Sequence, residues 1–236
     1  MNFNELKMIP KRELFTLLGL VVGAEFLLRV TIDVALEKEG YLNLIRAMLD
    51  AGLLAIICIP LLIHYQLRPM RAAYYDDLTE LPNRLLFRDR LERALVSAKR
   101  EQRNCAVIFI DLDKFKLVND GHGHRVGDVL LKCAAERIWK AVRRSDTVAR
   151  IGGDEFIVLL PFISKSEDAE KVVQKIIDEF SLPFKLDKRI IQIGISAGIA
   201  LYPRDGNEGR VLIDAADEAM YRAKEMQGSS YCFVDH

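Results

Sequence analysis

The sequence predicts an α+β domain, a mixed β-sheet with helices packed on it, preceded by a two-helix transmembrane hairpin. Three observations predict it. From residue 76 onward, segments with apolar residues at helical spacing alternate with short β-rich apolar runs. Two of those runs, Thr147 to Ile151 and Phe156 to Leu160, flank Gly152-Gly153-Asp154-Glu155, the pattern of a tight hairpin. Before residue 66, two apolar stretches of about 22 residues are each long enough to cross ~30 Å of hydrocarbon as helices.

The N-terminal part divides into a short leader over 1–13, spans over 14–35 and 44–65, and a connector over 66–75. Lys7, Lys11 and Arg12 precede the first span, and Arg68 and Arg71 follow the second, which puts both ends on the cytoplasmic side. Glu25, Arg29 and Asp33 recur every four residues and share one helix face; Arg46 and Asp50 do the same on the second span. In an antiparallel hairpin Arg29 meets Asp50 and Asp33 meets Arg46. A central charge costs ~2.5–3.5 kcal/mol, so such pairing is how a membrane tolerates it. Two readings stay open for these charges, a sensing or dimerising element and a plain anchor.

The soluble part runs over 76–236. Asp76 to Arg84 reads as a turn leading into a helix over Leu85–Arg100. Cys105 to Asp111 is a continuous apolar run, the pattern of a strand buried on both faces, ending at a sheet edge in Asp111-Leu112-Asp113. A loop follows, then a helix from Gly127 to Val142, with Asp128 at its start. The hairpin's second strand is expected to stop at Pro161. Ser166 is expected to cap the next helix, which ends near Pro183. Two strands within Phe184–Leu201, a helix over Arg210–Met226 and an edge strand at Tyr231 complete the domain.

Net charge is zero, with 34 basic and 34 acidic residues, so no basic field points to nucleic acid. The four cysteines, Cys58, Cys105, Cys133 and Cys232, form neither a zinc pattern nor a disulfide framework.

The chemistry gathers at the hairpin tip. Glycines there accept positive φ and let a phosphate approach the backbone. The adjacent carboxylates Asp154 and Glu155 repel unless a cation or a proton intervenes. On this stretch alone two readings are open, a divalent-metal and nucleotide site or a solvated acidic tip. Asp111, at the end of a neighbouring strand, adds a second metal-type carboxylate, an arrangement suited to phosphoryl or nucleotidyl transfer. Lys114, Phe115 and Lys116 then follow, with Asn119-Asp120 and Gly127-Asp128, and such lysines and turns hold phosphates.

Gly152 to Phe156 resembles, letter for letter, the GGDEF signature of diguanylate cyclases. The supporting motifs are Asp76 to Arg84, Asp111 to Lys116, Asn119-Asp120 with Gly127-Asp128, Ser196 to Ala200, and Ala216 to Lys224. Several spaced motifs together are far more specific than one. The resemblance implies a palm-like nucleotidyl cyclase fold. It implies condensation of two GTP to cyclic di-GMP with release of two pyrophosphates, one GTP held by each subunit of a homodimer. It implies Mg²⁺ or Mn²⁺ on Asp111, Asp154 and the Leu112 carbonyl, and Glu155 at the reacting 3′-hydroxyl or the metal. Phosphates would rest on the backbone at Lys114 and Phe115, on Lys116 and on Lys224, while Asn119 and Asp128 read guanine. Arg143 and Asp146 match the R-x-x-D of a product-inhibition site; the plain alternative is a surface salt bridge. Two departures stand out. Glu225 to Ser230 lacks the arginine usual after Lys224, which leaves Lys224 alone or compensated by Arg222, and Glu80 replaces a usual glycine.

The expected protein is thus a multi-pass enzyme of the bacterial inner membrane with its catalytic domain in the cytoplasm and no phosphodiesterase domain. The alternatives are a catalytically weak relative that binds cyclic di-GMP or GTP, and a cyclase making a mixed dinucleotide. Alkaline carbonate washing of membranes is expected to leave the protein in the pellet; release into the supernatant would sink the membrane assignment.

Overall fold

The computed structural model describes residues 73–186, 189–226 and 229–234, together with Leu49, Gly52, Leu53 and Ile56. The chain divides into two compact units, Met1–Arg68 and Pro69–His236. Apart from those four helical residues, the spans expected over 14–35 and 44–65 lie outside the described residues, as does most of the connector. No helix among the described residues is long and apolar enough to cross a membrane.

The second unit is built on a five-stranded sheet. Its strands are β1 (Asn104–Leu112), β2 (Thr147–Gly152), β3 (Glu155–Ile163), β6 (Ile195–Tyr202) and β7 (Ser230–Phe233). Their order is β2-β3-β1-β6-β7. β1 is antiparallel to both β3 and β6, β2 is antiparallel to β3, and β7 runs parallel to β6. The sheet is therefore mixed, as the sequence predicts. β1 lies in the middle because its run is apolar on both faces: every residue from Cys105 to Leu112 is buried. Asp111 thus stands at the end of the central strand rather than at a sheet edge.

Five helices complete the described unit: α1 (Arg84–Glu101), α2 (Phe115–His122), α3 (His124–Ala141), α4 (Ser166–Ser181) and α5 (Gly209–Glu225). Alternate residues of each central strand face opposite sides. Ile108, Ile110, Phe156 and Val158 pack with Leu130 and Ile138 of α3 and Val173 and Phe180 of α4. Val107, Phe109 and Leu159 pack with Phe87 and Leu91 of α1 and Leu212 and Met220 of α5. A small hairpin of β4 (Phe184–Leu186) and β5 (Arg189–Ile191) stands apart. Arg137 fastens it, lying 3.5 Å over the Phe184 ring and donating to the Pro183 carbonyl at 2.9 Å.

Five expectations change. The loop after Asp111 holds a helix, α2, because the chain turns through a left-handed Lys114 (φ 57) and buries Phe115 in the core. Packing overrides the turn signal of Asn119-Asp120-Gly121. Gly123 (φ 84) separates α2 from α3, which therefore begins at His124 and not at Gly127. β3 continues through Pro161 to Ile163, because its register against β1 shifts beside Pro161 and spares the missing N–H. Lys165, not Ser166, precedes α4, and Asp168 accepts from the Ser164 N–H at 3.0 Å and the Lys165 N–H at 3.3 Å. The region after Pro183 holds three strands, since β4 and β5 form the separate hairpin before β6.

The Asp76–Leu81 turn and α1 follow the reading closely. Thr79 donates its N–H (2.8 Å) and hydroxyl (2.6 Å) to the Asp76 carboxylate, and Asn83 accepts from the N–H groups of Leu85 and Leu86. Glu80 occupies a left-handed conformation (φ 59), which accounts for a glycine being the easier residue there.

One close approach is absolute. A Cβ on Gly198 of β6 would overlap the Ala216 carbonyl and the Met220 amide of α5. Gly198→Ala is expected to cost about 1–3 kcal/mol in urea unfolding, whereas Gly121→Ala, which meets nothing within 4 Å, should fall well below that.

Candidate functional site

The site forms where three backbones end together. Antiparallel pairing sets Asp111 of β1 opposite Glu155 of β3 and opposite Ser196 of β6. The Leu112 N–H donates to the Asp154 carbonyl at 3.3 Å, which fastens the hairpin tip to the end of β1. Gly153 has φ 52, a left-handed conformation that glycine takes without the strain a Cβ would add. Arg150 organises the tip from below. Its guanidinium donates to the Gly153 carbonyl at 2.7 and 3.0 Å and to both Asp76 oxygens at 2.9 and 3.1 Å. Burial pushes the Asp76 carboxyl up, but bonds from Thr79 and Arg150 outweigh it and hold it below the usual range.

Lys224, in the last turn of α5, reaches this cluster. Its ammonium lies 2.8 Å from Asp111 Oδ2. Asp111 is only 7% exposed. Burial and the charges of Asp154 and Glu155 push its carboxyl up to about 6, against the opposing pull of Lys224. Glu155 is also raised, by burial and by Asp217 and Asp154, with Lys224 and Arg84 opposing. Burial pulls the Lys224 ammonium down, but Asp111, Asp154 and Glu155 more than reverse that and raise it. Asp113 is raised by burial, although the Ser196 hydroxyl donates to it at 2.6 Å.

Crowded carboxylates short of compensating charge are a cation site's donor chemistry. Among the described residues, however, no three His, Cys, Asp or Glu side chains come together as a metal cluster. An ion held by Asp111 and Asp154 would have two carboxylates, and its further oxygens would come from a backbone carbonyl such as that of Leu112, from water or from a ligand. That is the usual way Mg²⁺ is held.

Besides Lys224 on α5, the expected nucleotide-binding residues lie at the start of α2, on α2 and on α3. Lys114 is the left-handed residue before α2, Phe115 is buried, and Lys116 is exposed. Asn119 Oδ1 is buried without a hydrogen-bond partner. A Cβ on Gly127 would overlap that oxygen, so the glycine makes room for the amide. Asp128 is exposed and next in the chain; it does not cap α3, which starts four residues earlier. Arg143 and Asp146 close a turn after α3: the Arg143 N–H donates to Asp146 Oδ2 at 2.9 Å, and the Asp146 N–H donates to the Arg143 carbonyl at 3.0 Å. Among the described residues no Arg143–Asp146 ion pair joins the side chains, so the plain salt-bridge alternative is not what holds this turn.

The sequence reading passed over Arg150, Asp113, Asp217 and Arg84 as contributors. Arg84, Asp113 and Asp217 lie inside the motifs named above, and Arg150 in the strand before the hairpin tip, but nothing in their spacing shows which charge each one meets. Arg222 is directed elsewhere, donating to the Phe233 carbonyl at 2.9 Å.

Comparison with known proteins agrees with this architecture. The family described as "Diguanylate cyclase, GGDEF domain" matches residues 73–230. The chain is 46% identical over 166 residues to the bifunctional diguanylate cyclase/cyclic di-GMP phosphodiesterase MucR of Pseudomonas aeruginosa, covering 70% of this chain and 24% of MucR. It is 43% identical over 159 residues to the diguanylate cyclase TpbB of the same species, covering 67% of this chain and 37% of TpbB. The chain thus spans well under half of either relative. The crystal structure of the TpbB GGDEF domain superposes with a TM-score of 0.66 at 41% identity, covering 67% of this chain and 99% of that one. The coiled coil and GGDEF domain of DgcB from Caulobacter crescentus, in complex with cyclic di-GMP, gives 0.68 at 26% identity, covering 78% of this chain and 98% of that one.

Asp111 generates a stability prediction. Its folded value near 6 lies above the ordinary 3.8, so its ionisation costs stability progressively as pH rises from about 4 through about 6. Asp111→Asn should therefore stabilise the metal-free protein at pH 8 by about 1–3 kcal/mol. The gain should vanish near pH 4, as read by thermal unfolding across pH; an equal shift at both pH values would contradict the assignment.

Proposed function

Because this chain belongs to the family of GGDEF diguanylate cyclase domains, we propose that it is an active diguanylate cyclase, condensing two GTP into cyclic di-GMP and two pyrophosphates in a homodimer. One observation carries the reading. Asp111, Asp154 and Glu155 meet at the ends of paired strands, crowded enough to raise Asp111 and Glu155, with the Lys224 ammonium among them.

In this reading Asp111 and Asp154, with the Leu112 carbonyl, hold Mg²⁺ or Mn²⁺. The ion, when bound, offsets the charge that builds on the α-phosphate and the pyrophosphate leaving group. Glu155 stands where the 3′-hydroxyl of one GTP must lose its proton as it attacks the α-phosphorus of the other. Its raised value suits a group that takes and releases a proton. The backbone at Lys114 and Phe115 and the ammonium groups of Lys116 and Lys224 bind the phosphates. Asn119, whose buried oxygen lacks a partner, accepts from the guanine edge, and Asp128 accepts beside it. Arg143 and Asp146, on an exposed turn away from the hairpin tip in sequence, bind product and restrain the enzyme. Residues 14–35 and 44–65 anchor the protein in the inner membrane, with the catalytic domain in the cytoplasm.

A second reading, a weak or inactive relative that binds cyclic di-GMP or GTP, is favoured by one observation. The arginine usual after Lys224 is missing, and Arg222, the nearest in sequence, donates to the Phe233 carbonyl.

Incubation of the purified chain with GTP and Mg²⁺, followed by chromatography of the nucleotides, separates the two. Cyclic di-GMP should form, and Asp154→Ala should abolish it. Arg143→Ala should keep the initial rate but escape inhibition by added product. A folded, dimeric protein that makes no product would count against the cyclase and for the receptor reading, which binding of cyclic di-GMP then tests.

A further inference from the structure

We infer that Lys224 is an internal counter-ion that reserves the cation position at Asp111, so that a divalent ion enters only together with the nucleotide. The inference rests on the nucleotide reading of the site, but its first observation does not. The ammonium and Asp111 Oδ2 are 2.8 Å apart, and the Asp111 side chain is only 10% exposed. The carboxylate therefore has little surface left for a second cation while this pair holds. An ammonium has three donors and no acceptor, so it adds nothing to a metal's coordination and repels the ion at short range.

The second observation is independent. Asp111 and Asp154 are the two carboxylates expected on the ion, and among the described residues no third ligating side chain joins them in a group that could hold a metal. A hard divalent ion needs about six oxygens. Arriving alone, it must break the Lys224–Asp111 pair, find most of its ligands in water, and leave the ammonium beside it. A nucleotide changes both conditions. Its phosphate oxygens complete the ion's shell, and its negative charge receives the displaced ammonium. Lysine suits this exchange because a four-carbon stem carries its charge from one partner to another without moving the helix.

The surrounding charges fit. Asp154 and Glu155 act on Lys224 together with Asp111, so the ammonium is held by the whole cluster. Asp113 is drawn to Lys224 and Lys114, while Asp217 and Arg84 act on Glu155. With one lysine among these acids, the site is neutralised in part and left poised for a stronger cation.

The test is Mn²⁺ titration of the purified full chain at pH 8, read by the loss of the free-ion electron paramagnetic resonance signal. It is run without nucleotide and with the α,β-methylene analogue of GTP. The wild type should bind Mn²⁺ weakly alone and far more tightly with the analogue. Lys224→Met should bind Mn²⁺ alone about tenfold more tightly, and the tightening produced by the analogue should shrink by a similar factor. Lys224→Arg should behave as wild type. Lys224→Gln repeats the measurement should the methionine variant unfold, with circular dichroism reporting the fold. Nucleotide-free Mn²⁺ affinities that do not differ between wild type and the neutral variants, absence of binding by both included, overturn the inference; so does weaker binding by the variants. A chain that makes no cyclic di-GMP yet shows the tighter Mn²⁺ binding would sink the cyclase reading and keep this one, and an active cyclase with unchanged Mn²⁺ binding would do the reverse.

Discussion

The structure depends on the register of one antiparallel pair. β1 and β3 are aligned so that Asp111 lies opposite Glu155. A slip of one residue would send Ile110 and Phe156 to the wrong face and take the carboxylate out of the cluster. The register is fixed because both strands are buried on both faces, where every side chain already has a place. The core thus does more than stabilise the domain: its packing sets the distance between charges that would otherwise move apart. Arg150 extends the same control to the hairpin tip, by hydrogen-bonding the Gly153 carbonyl and the Asp76 carboxylate at once.

Much of this was legible in the residues, and the reason differs from element to element. The apolar run Cys105–Leu112 announces a strand buried on both faces, and all eight of its positions are buried. Asn83 announces the start of α1 through its cap. The hairpin is legible because Gly153 marks a backbone conformation that other residues avoid. α2 was hidden for the opposite reason. Its residues speak locally for a turn, and only the burial of Phe115 against distant parts of the chain makes them a helix. Pro161 misled in the same way, since a local rule about strands yields where the register shifts around it.

The site divides along the same line. Asp111, Asp154 and Glu155 could be named because adjacent acids at a strand end and a hairpin tip are a local pattern. That Lys224 pairs with Asp111, that Ser196 holds Asp113, and that Arg222 turns to Phe233 are facts about which distant groups face one another. No spacing along the chain encodes them. The two departures divide too. Glu80 is explained by the structure as a side chain set in a left-handed position, while the altered stretch after Lys224 includes residues outside those described.

The electrostatics give the site its character. Three acids converge where β1 and the hairpin meet, Asp217 adds a fourth charge from α5, and the basic groups acting on them are Lys224 and Arg84. Such an arrangement opposes folding, as the elevation of Asp111 shows, and it persists because apolar layers on both faces of the sheet hold the backbones in place. The strain relaxes when positive charge enters. A proton or the Lys224 ammonium brings one positive charge and a divalent ion two, so the ion relaxes it most. In the proposed reading, a site left short of positive charge in this way takes up a cation and its anionic companion as one unit. That requirement, rather than any single carboxylate, distinguishes this hairpin tip from an ordinary acidic turn.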